Sequence, residues 1–154
     1  MKKKSNSTKI CMISSSGGHF EQLRMLSSLS DNYQCIWVTE KTKYSMKADY
    51  YLLQTGLKDW LFIFKMIINT VKSFFIWIRE RPKYVITTGT AVAIPMVFIA
   101  KIFRKKTIFI ETFARLHDAT KTGKLLYGRV DLFIIQWESL KKIYPEAVFG
   151  GSIY

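Results

Sequence analysis

An apolar run, Ile10-Cys11-Met12-Ile13, breaks at once into Ser14-Ser15-Ser16-Gly17-Gly18-His19, and no other segment constrains this chain as much. Consecutive apolar residues without alternation read as a strand covered on both faces, which is the habit of parallel sheets. A strand that turns through small residues and glycines into a helix aims backbone N–H groups at one point. α/β proteins hold phosphates this way. His19 adds a titratable ring at the same spot. The glycine pair alone is a weak signal, since such turns also serve merely to pack a helix closely on its strand. It is not the G-x-G-x-x-G dinucleotide fingerprint, and no Gly-Lys-Ser/Thr follows to make a P-loop.

The rest of the chain alternates in the same way. Strands are expected at 10–14, 35–39, 50–53, 84–87, 107–111 and 132–136. Helices are expected at 21–28, at 58–80 up to Pro82, at 90–103 with Pro95 in the first turns, and in a short stretch ending at Tyr144. This pattern predicts an α/β fold, a parallel sheet with helices on both faces, in one domain over residues 10–154. Segment 118–128 reads either as a mobile loop or as the start of a helix. Ligands of such sheets bind beyond the carboxyl ends of the strands. There the sequence places Ser14 to His19, then Thr88-Gly89-Thr90, then Glu111-Thr112-Phe113-Ala114-Arg115, and finally Gln136-Trp137-Glu138.

With 24 Lys+Arg against 11 Asp+Glu the net charge is +13, which selects polyanionic partners. Those are nucleic acid, anionic lipid or phosphorylated substrate; a hydrophobic content of 49% leans towards membrane lipid over nucleic acid, for which no recognised motif is present. Cys11 and Cys35 fall in expected core strands and read as buried reduced thiols, which suggests a cytoplasmic chain, and no metal site is expected. Met1-Lys2-Lys3-Lys4 looks like the start of a signal peptide, but the apolar run after it is too short. Residues 1–9 therefore read as a solvated basic arm.

On the long helix Lys58, Lys65, Lys72 and Arg79 recur every seventh residue and line one stripe. Trp60, Phe64, Ile68, Phe75 and Trp77 belong to an apolar arc wider than one sheet face requires. Two readings stay open: a segment lying in the membrane interface, or a buried crossover helix whose cations snorkel to water. A transmembrane span is disfavoured, because Lys65 and Lys72 would each cost about 3 kcal/mol in hydrocarbon and both helix ends must return to one sheet. Lys101, Arg104, Lys105 and Lys106 close the next apolar helix, where they suit both the helix dipole and an anionic surface.

Taken in order, Ser-Ser-Gly-Gly-His, Thr-Gly-Thr-Ala-Val-Ala-Ile-Pro, Glu-Thr-Phe-Ala-Arg and Asp-Leu-Phe-Ile-Ile-Gln-Trp resemble a known family. The family is the membrane-associated, acceptor-binding subunit of the two-chain N-acetylglucosaminyltransferase of asparagine-linked glycosylation, and the resemblance is nearest to its bacterial capsule and exopolysaccharide members. The resemblance runs over residues 9–154. It implies a Rossmann-like domain similar to the N-terminal half of a GT-B glycosyltransferase. It also implies a lipid-pyrophosphate-linked acceptor, and a separate catalytic partner chain that holds the UDP-sugar donor. Eukaryotic members carry an N-terminal transmembrane helix where this chain has only the basic arm. Attachment is thus expected to be peripheral, on the cytoplasmic face, with undecaprenyl as the favoured lipid.

On that resemblance the backbone of Ser15, Ser16, Gly17 and Gly18 would bind the acceptor pyrophosphate, with Thr88, Gly89 and Thr90 beside it. His19 would act as general base, since imidazole titrates near neutrality. Glu111 is the rival base, and Arg115 would clamp a phosphate or pair with Glu111. Tyr144, Phe149, Ile153 and Tyr154 would form part of the partner interface, with 149–154 as a docking tail. The competing function is a non-catalytic scaffold that brings a catalytic glycosyltransferase to the membrane.

Overall fold

The structure, a computed structural model, describes residues 8–56 and 58–154. Its strands are β1 (Lys9–Ser14), β2 (Gln34–Lys41), β3 (Tyr50–Leu53), β4 (Tyr84–Gly89), β5 (Lys106–Ile110), β6 (Leu132–Ile135) and β7 (Val148–Phe149). They form one all-parallel sheet in the order β3-β2-β1-β4-β5-β6-β7. The helices are α1 (Gly18–Arg24), α2 (Phe62–Glu80), α3 (Ile94–Ile102) and α4 (Lys121–Leu126), with short 3-10 turns between elements.

β1 shows why the sheet has two covered faces. Side chains alternate along a strand, so Cys11 and Ile13 enter one apolar core while Ile10 and Met12 enter the other. The first core is the larger and receives Ile76 and Trp77 of α2 and Met96, Val97, Ile99 and Ala100 of α3. The second is closed by Phe20 and Leu23 of α1, with Phe20 edge-on to Trp37 at 6.0 Å. Burial, with the Glu80 charge behind it, pushes the Cys11 thiol up to about 12. Cys11 is therefore a neutral core residue, and Cys35 is likewise a free thiol.

α2 is built with its polarity reversed. Its buried residues are Asn69, Ser73, Ile76 and Trp77. Ile63, Phe64, Ile67, Ile68, Val71, Phe74, Phe75 and Ile78 are exposed. Asn69 faces inward because β3 is an edge strand with unpaired backbone groups. Its amide accepts from the Leu53 N–H at 2.8 Å and donates to the Leu53 carbonyl at 2.9 Å. The helix ends on Arg81, at φ 50, whose N–H closes on the Trp77 carbonyl at 2.8 Å, and Pro82 bars another turn. No helix among the described residues is long and apolar enough to cross a membrane.

Several expectations need correcting. α2 starts at Phe62, so Trp60 precedes it, 90% exposed. Trp77 is not at an interface: it is 3% exposed and stacks on Phe103 with ring centres 5.6 Å apart. Lys65 leaves the basic stripe for an ion pair with Asp59. Lys9 belongs to β1 and pairs with Glu80 at 3.0 Å, so it is no part of an arm; residues 1–7 lie outside the described residues. Of the two readings of segment 118–128 the helix holds, as α4, and β7 takes Phe149 of the expected 149–154 tail into the sheet.

Candidate functional site

In the order β3-β2-β1-β4 the chain reverses direction across the sheet at β1 and β4. The helices after these strands leave on opposite faces, and a crevice opens between their turns. The β1 turn runs through Gly17, at φ 82, and Ser15 N–H donates to the Gly89 carbonyl at 3.1 Å, tying the two turns together. Gly89 holds φ 101, a backbone state that favours glycine, and a Cβ there would stand 3.7 Å from the His19 ring.

His19 is fixed by a reciprocal pair of bonds. Its Nδ1 lies 2.7 Å from the Thr88 carbonyl, and the Thr88 hydroxyl donates to the His19 carbonyl at 2.7 Å. A carbonyl can only accept, so Nδ1 carries the proton. In the neutral ring Nε2 is then the basic nitrogen, without a protein partner among the described residues. The half-buried ring lines a cavity of about 600 Å3 together with Thr90, Thr112, Arg115 and Lys121. The cavity's apolar wall includes Phe62 from the first turn of α2, Ile94 and Leu125. On the other side of His19 a shallower hollow of about 510 Å3 is bordered by Gln22, Phe113 and Tyr154.

The expected site residues separate into groups. His19, Thr90 and Arg115 meet at the main cavity. Gly17 and Gly18 are exposed on the turn, Gly18 at the edge of the second hollow, and Ser16 Oγ sits 3.4 Å from Thr42 Oγ1. Ser15 is buried and its N–H is taken by Gly89, so it has no amide to offer a phosphate. Thr88 is buried and holds His19 instead of lining the cavity. Arg115 pairs with Asp118, not with Glu111.

Glu111 is no rival base. It is 0% exposed and sits inside a ring of donors. Oε1 accepts from the Thr112 N–H at 3.0 Å, Oε2 from the Tyr144 hydroxyl at 2.9 Å, and the Thr120 hydroxyl lies within 3.1 Å of both. Thr120 Oγ1 also accepts from Gly123 N–H at 2.8 Å, which caps α4. Burial first, then the Glu111 charge, drives the Tyr144 hydroxyl well above its ordinary range, so it stays a donor. Tyr144, 1% exposed, is a core residue and not a partner contact. A Cβ on Gly123 would fall 2.2 Å from Glu111 Oε2, so only glycine lets α4 approach this network. Glu111 thereby sets the position of α4, whose Lys121 and Leu125 wall the cavity.

The terminal segment also folds back. Phe149 pairs in the sheet beside Ile135, Ile153 N–H donates to Gln136 at 3.1 Å, and the Tyr154 ring meets Phe113 at 5.4 Å. Two contributors to the site escape the sequence reading: Gln22, whose amide donates to the rim residue Thr112 at 3.3 Å, and Lys121, which enters with α4. Gln22 was findable, because it stands three residues after His19 on one helix face. Among the described residues no group of three His, Cys, Asp or Glu side chains could hold a metal ion.

Residues 58–153 match the family described as "Oligosaccharide biosynthesis protein Alg14 like". The chain belongs to the Alg14-like family. The UDP-N-acetylglucosamine transferase subunit ALG14 of Rattus norvegicus is 27% identical over 177 residues, which covers 94% of this chain and 82% of the relative. A UDP-N-acetylglucosamine–N-acetylmuramyl-(pentapeptide) pyrophosphoryl-undecaprenol N-acetylglucosamine transferase of Prochlorococcus marinus is 31% identical over 145 residues, covering 86% of this chain and 40% of that enzyme. Among solved structures, Acinetobacter baumannii MurG superposes with a TM-score of 0.67 at 14% identity, over 86% of this chain and 42% of that one. This Alg14-like chain therefore has the Rossmann-like α/β fold of GT-B glycosyltransferases and spans about two fifths of the MurG chain.

Proposed function

We infer that this chain is the acceptor-binding, membrane-associating subunit of a two-chain glycosyltransferase. The transfer runs from a UDP-sugar to a lipid-pyrophosphate-linked saccharide, in bacterial capsule or exopolysaccharide synthesis at the cytoplasmic face of the membrane. The observation that carries the reading is His19, its Nδ1 held at 2.7 Å by Thr88 and its ring on a cavity of about 600 Å3. The names of the ALG14 relatives, which are transferase subunits, support a partner chain that supplies the donor half.

In this reading the acceptor's pyrophosphate lies between Arg115, Lys121 and the Gly17–Gly18 turn, and its lipid leaves past Phe62 and Leu125 towards α2. His19 Nε2 takes the proton of the acceptor hydroxyl as that oxygen bonds the sugar's anomeric carbon. The bond from that carbon to UDP breaks, and the nucleotide leaves with the electron pair. The outward apolar face of α2 also fits a scaffold that only recruits the catalytic partner. One experiment separates the two. Transfer from UDP-N-acetylglucosamine to a polyprenyl-pyrophosphate saccharide is measured with this chain and its partner co-expressed. His19→Ala is expected to lower kcat by about 100-fold or more. Undiminished transfer with that variant rules out the catalytic reading and leaves the scaffold.

A further inference from the structure

Asn69 is not the only α2 side chain on the open edge of β3. Lys72 Nζ reaches the Tyr51 carbonyl at 3.4 Å. Beside this contact Tyr50 and Tyr51 of β3 and Lys72, Phe75, Ile76 and Arg79 of α2 enclose a groove of about 280 Å3. Ile76 is buried beneath it, while Phe75 on its rim is 68% exposed.

The charges around the groove are unbalanced. Lys72 makes no salt bridge among the described residues, and the largely exposed Arg79 guanidinium comes only to 3.8 Å from Glu80. Lys41 adds a third cation, 5.9 Å from the centre of the Tyr51 ring. The acidic groups facing this region are already engaged. Glu80 accepts from Tyr50 at 2.5 Å and from Lys9 at 3.0 Å, and Asp49 accepts from the Trp37 N–H at 2.8 Å. Two of these three cations, Lys72 and Arg79, line the aromatic-walled groove itself, and the groove opens beside the exposed rings of Phe74 and Phe75.

We propose that this groove holds the phosphate headgroup of one anionic phospholipid, whose acyl chains lie along Phe74 and Phe75. The proposal rests on the reading of α2 as a membrane-facing helix and adds a stoichiometric headgroup site to it. Arg79 supplies a planar fork and Lys72 a mobile ammonium, both suited to phosphate oxygens. A soluble phosphate offers the same oxygens, but only a lipid also covers the rings.

Co-sedimentation with phosphatidylcholine vesicles, with and without added phosphatidylglycerol, tests the idea. The substituted side chains are partly or fully exposed, so the variants should fold, which circular dichroism checks. Lys72→Ala/Arg79→Ala is expected to bind phosphatidylglycerol vesicles about 30-fold more weakly, and pure phosphatidylcholine as the natural chain does. Lys142→Ala, by the opposite sheet edge, should stay within about twofold on both. Per-charge losses equal to that of Lys142→Ala would mean diffuse attraction and overturn the site. Inorganic phosphate that shifts the Tyr51 and Phe75 resonances as vesicles do would make it a free-phosphate site and overturn the lipid. Phe64→Ser/Ile67→Ser, outside the groove, reports on α2 itself. If that variant binds both vesicle types normally, the membrane reading fails whatever the groove does.

Discussion

α2 and α3 pack on the same face of one sheet and use their apolar side chains in opposite ways. α3 turns Pro95, Met96, Val97, Ile99 and Ala100 inward. α2 turns Asn69 and Ser73 inward with Ile76 and Trp77, and the Ser73 hydroxyl has no partner among the described residues. α3 is a core helix, explained by the fold that it stabilises. α2 is anchored at a few points, and its surplus of exposed rings and branched chains contributes nothing to the sheet. Contiguous apolar surface of that kind marks a face meant for another phase or partner.

Stability measurements break or sharpen this contrast. The largest effect is expected from Met96→Ala on α3, which empties a fully buried site and should cost about 3 kcal/mol in urea unfolding. Phe75→Ala on α2 should change the same quantity by less than about 0.5 kcal/mol. Equal losses at the two positions would show that α2 is a core helix after all.

Asn69→Ala comes next, at about 1–3 kcal/mol, because the Leu53 N–H and carbonyl lose their partner. The accompanying sign is faster hydrogen exchange at the Leu53 amide; unchanged exchange would mean that Asn69 does not seal the β3 edge.

The smallest effect is a pH dependence at the C-terminal end of α2. Burial acts to raise the Glu80 carboxyl, but hydrogen bonds from Tyr50 and Lys9 and the charges of Lys9 and Arg79 outweigh it and hold the carboxyl below its ordinary value. A carboxyl depressed in the folded state adds stability above its unfolded pKa, and that stability is lost as pH falls through the folded value. Glu80→Gln should therefore flatten the acid limb of stability against pH and change its slope little near neutrality. An acid limb identical to that of the natural chain would remove Glu80 from the helix anchor.

Much of this was legible in local sequence. Ile10 to Ile13 could only be a strand covered on both faces, and the alternation of short apolar runs with helices fixed a parallel sheet. The Gly17-Gly18 turn placed His19 at a strand end. What stayed hidden depended on neighbours distant in sequence. Glu111 reads as a rim carboxylate until Thr120 and Tyr144, 9 and 33 residues away, are folded onto it. Arg115 has two carboxylates within reach on paper, and the loop geometry chose Asp118. α4 was ambiguous because its cap, Thr120, is fixed by that same buried carboxylate.

The sequence by itself determined six of the sheet's seven strands, the strand-end position of His19 and the width of the apolar arc on α2, because each follows from backbone periodicity and turn chemistry. Only the tertiary structure decided which side of α2 faces in, and with it that Trp77 is core while Phe75 is surface. The unpaired edge of β3 needs a hydrogen-bonding side chain, and Asn69 supplies it. That requirement sets the rotation of the helix, and helical spacing alone gives the stripes without saying which of them meets the sheet.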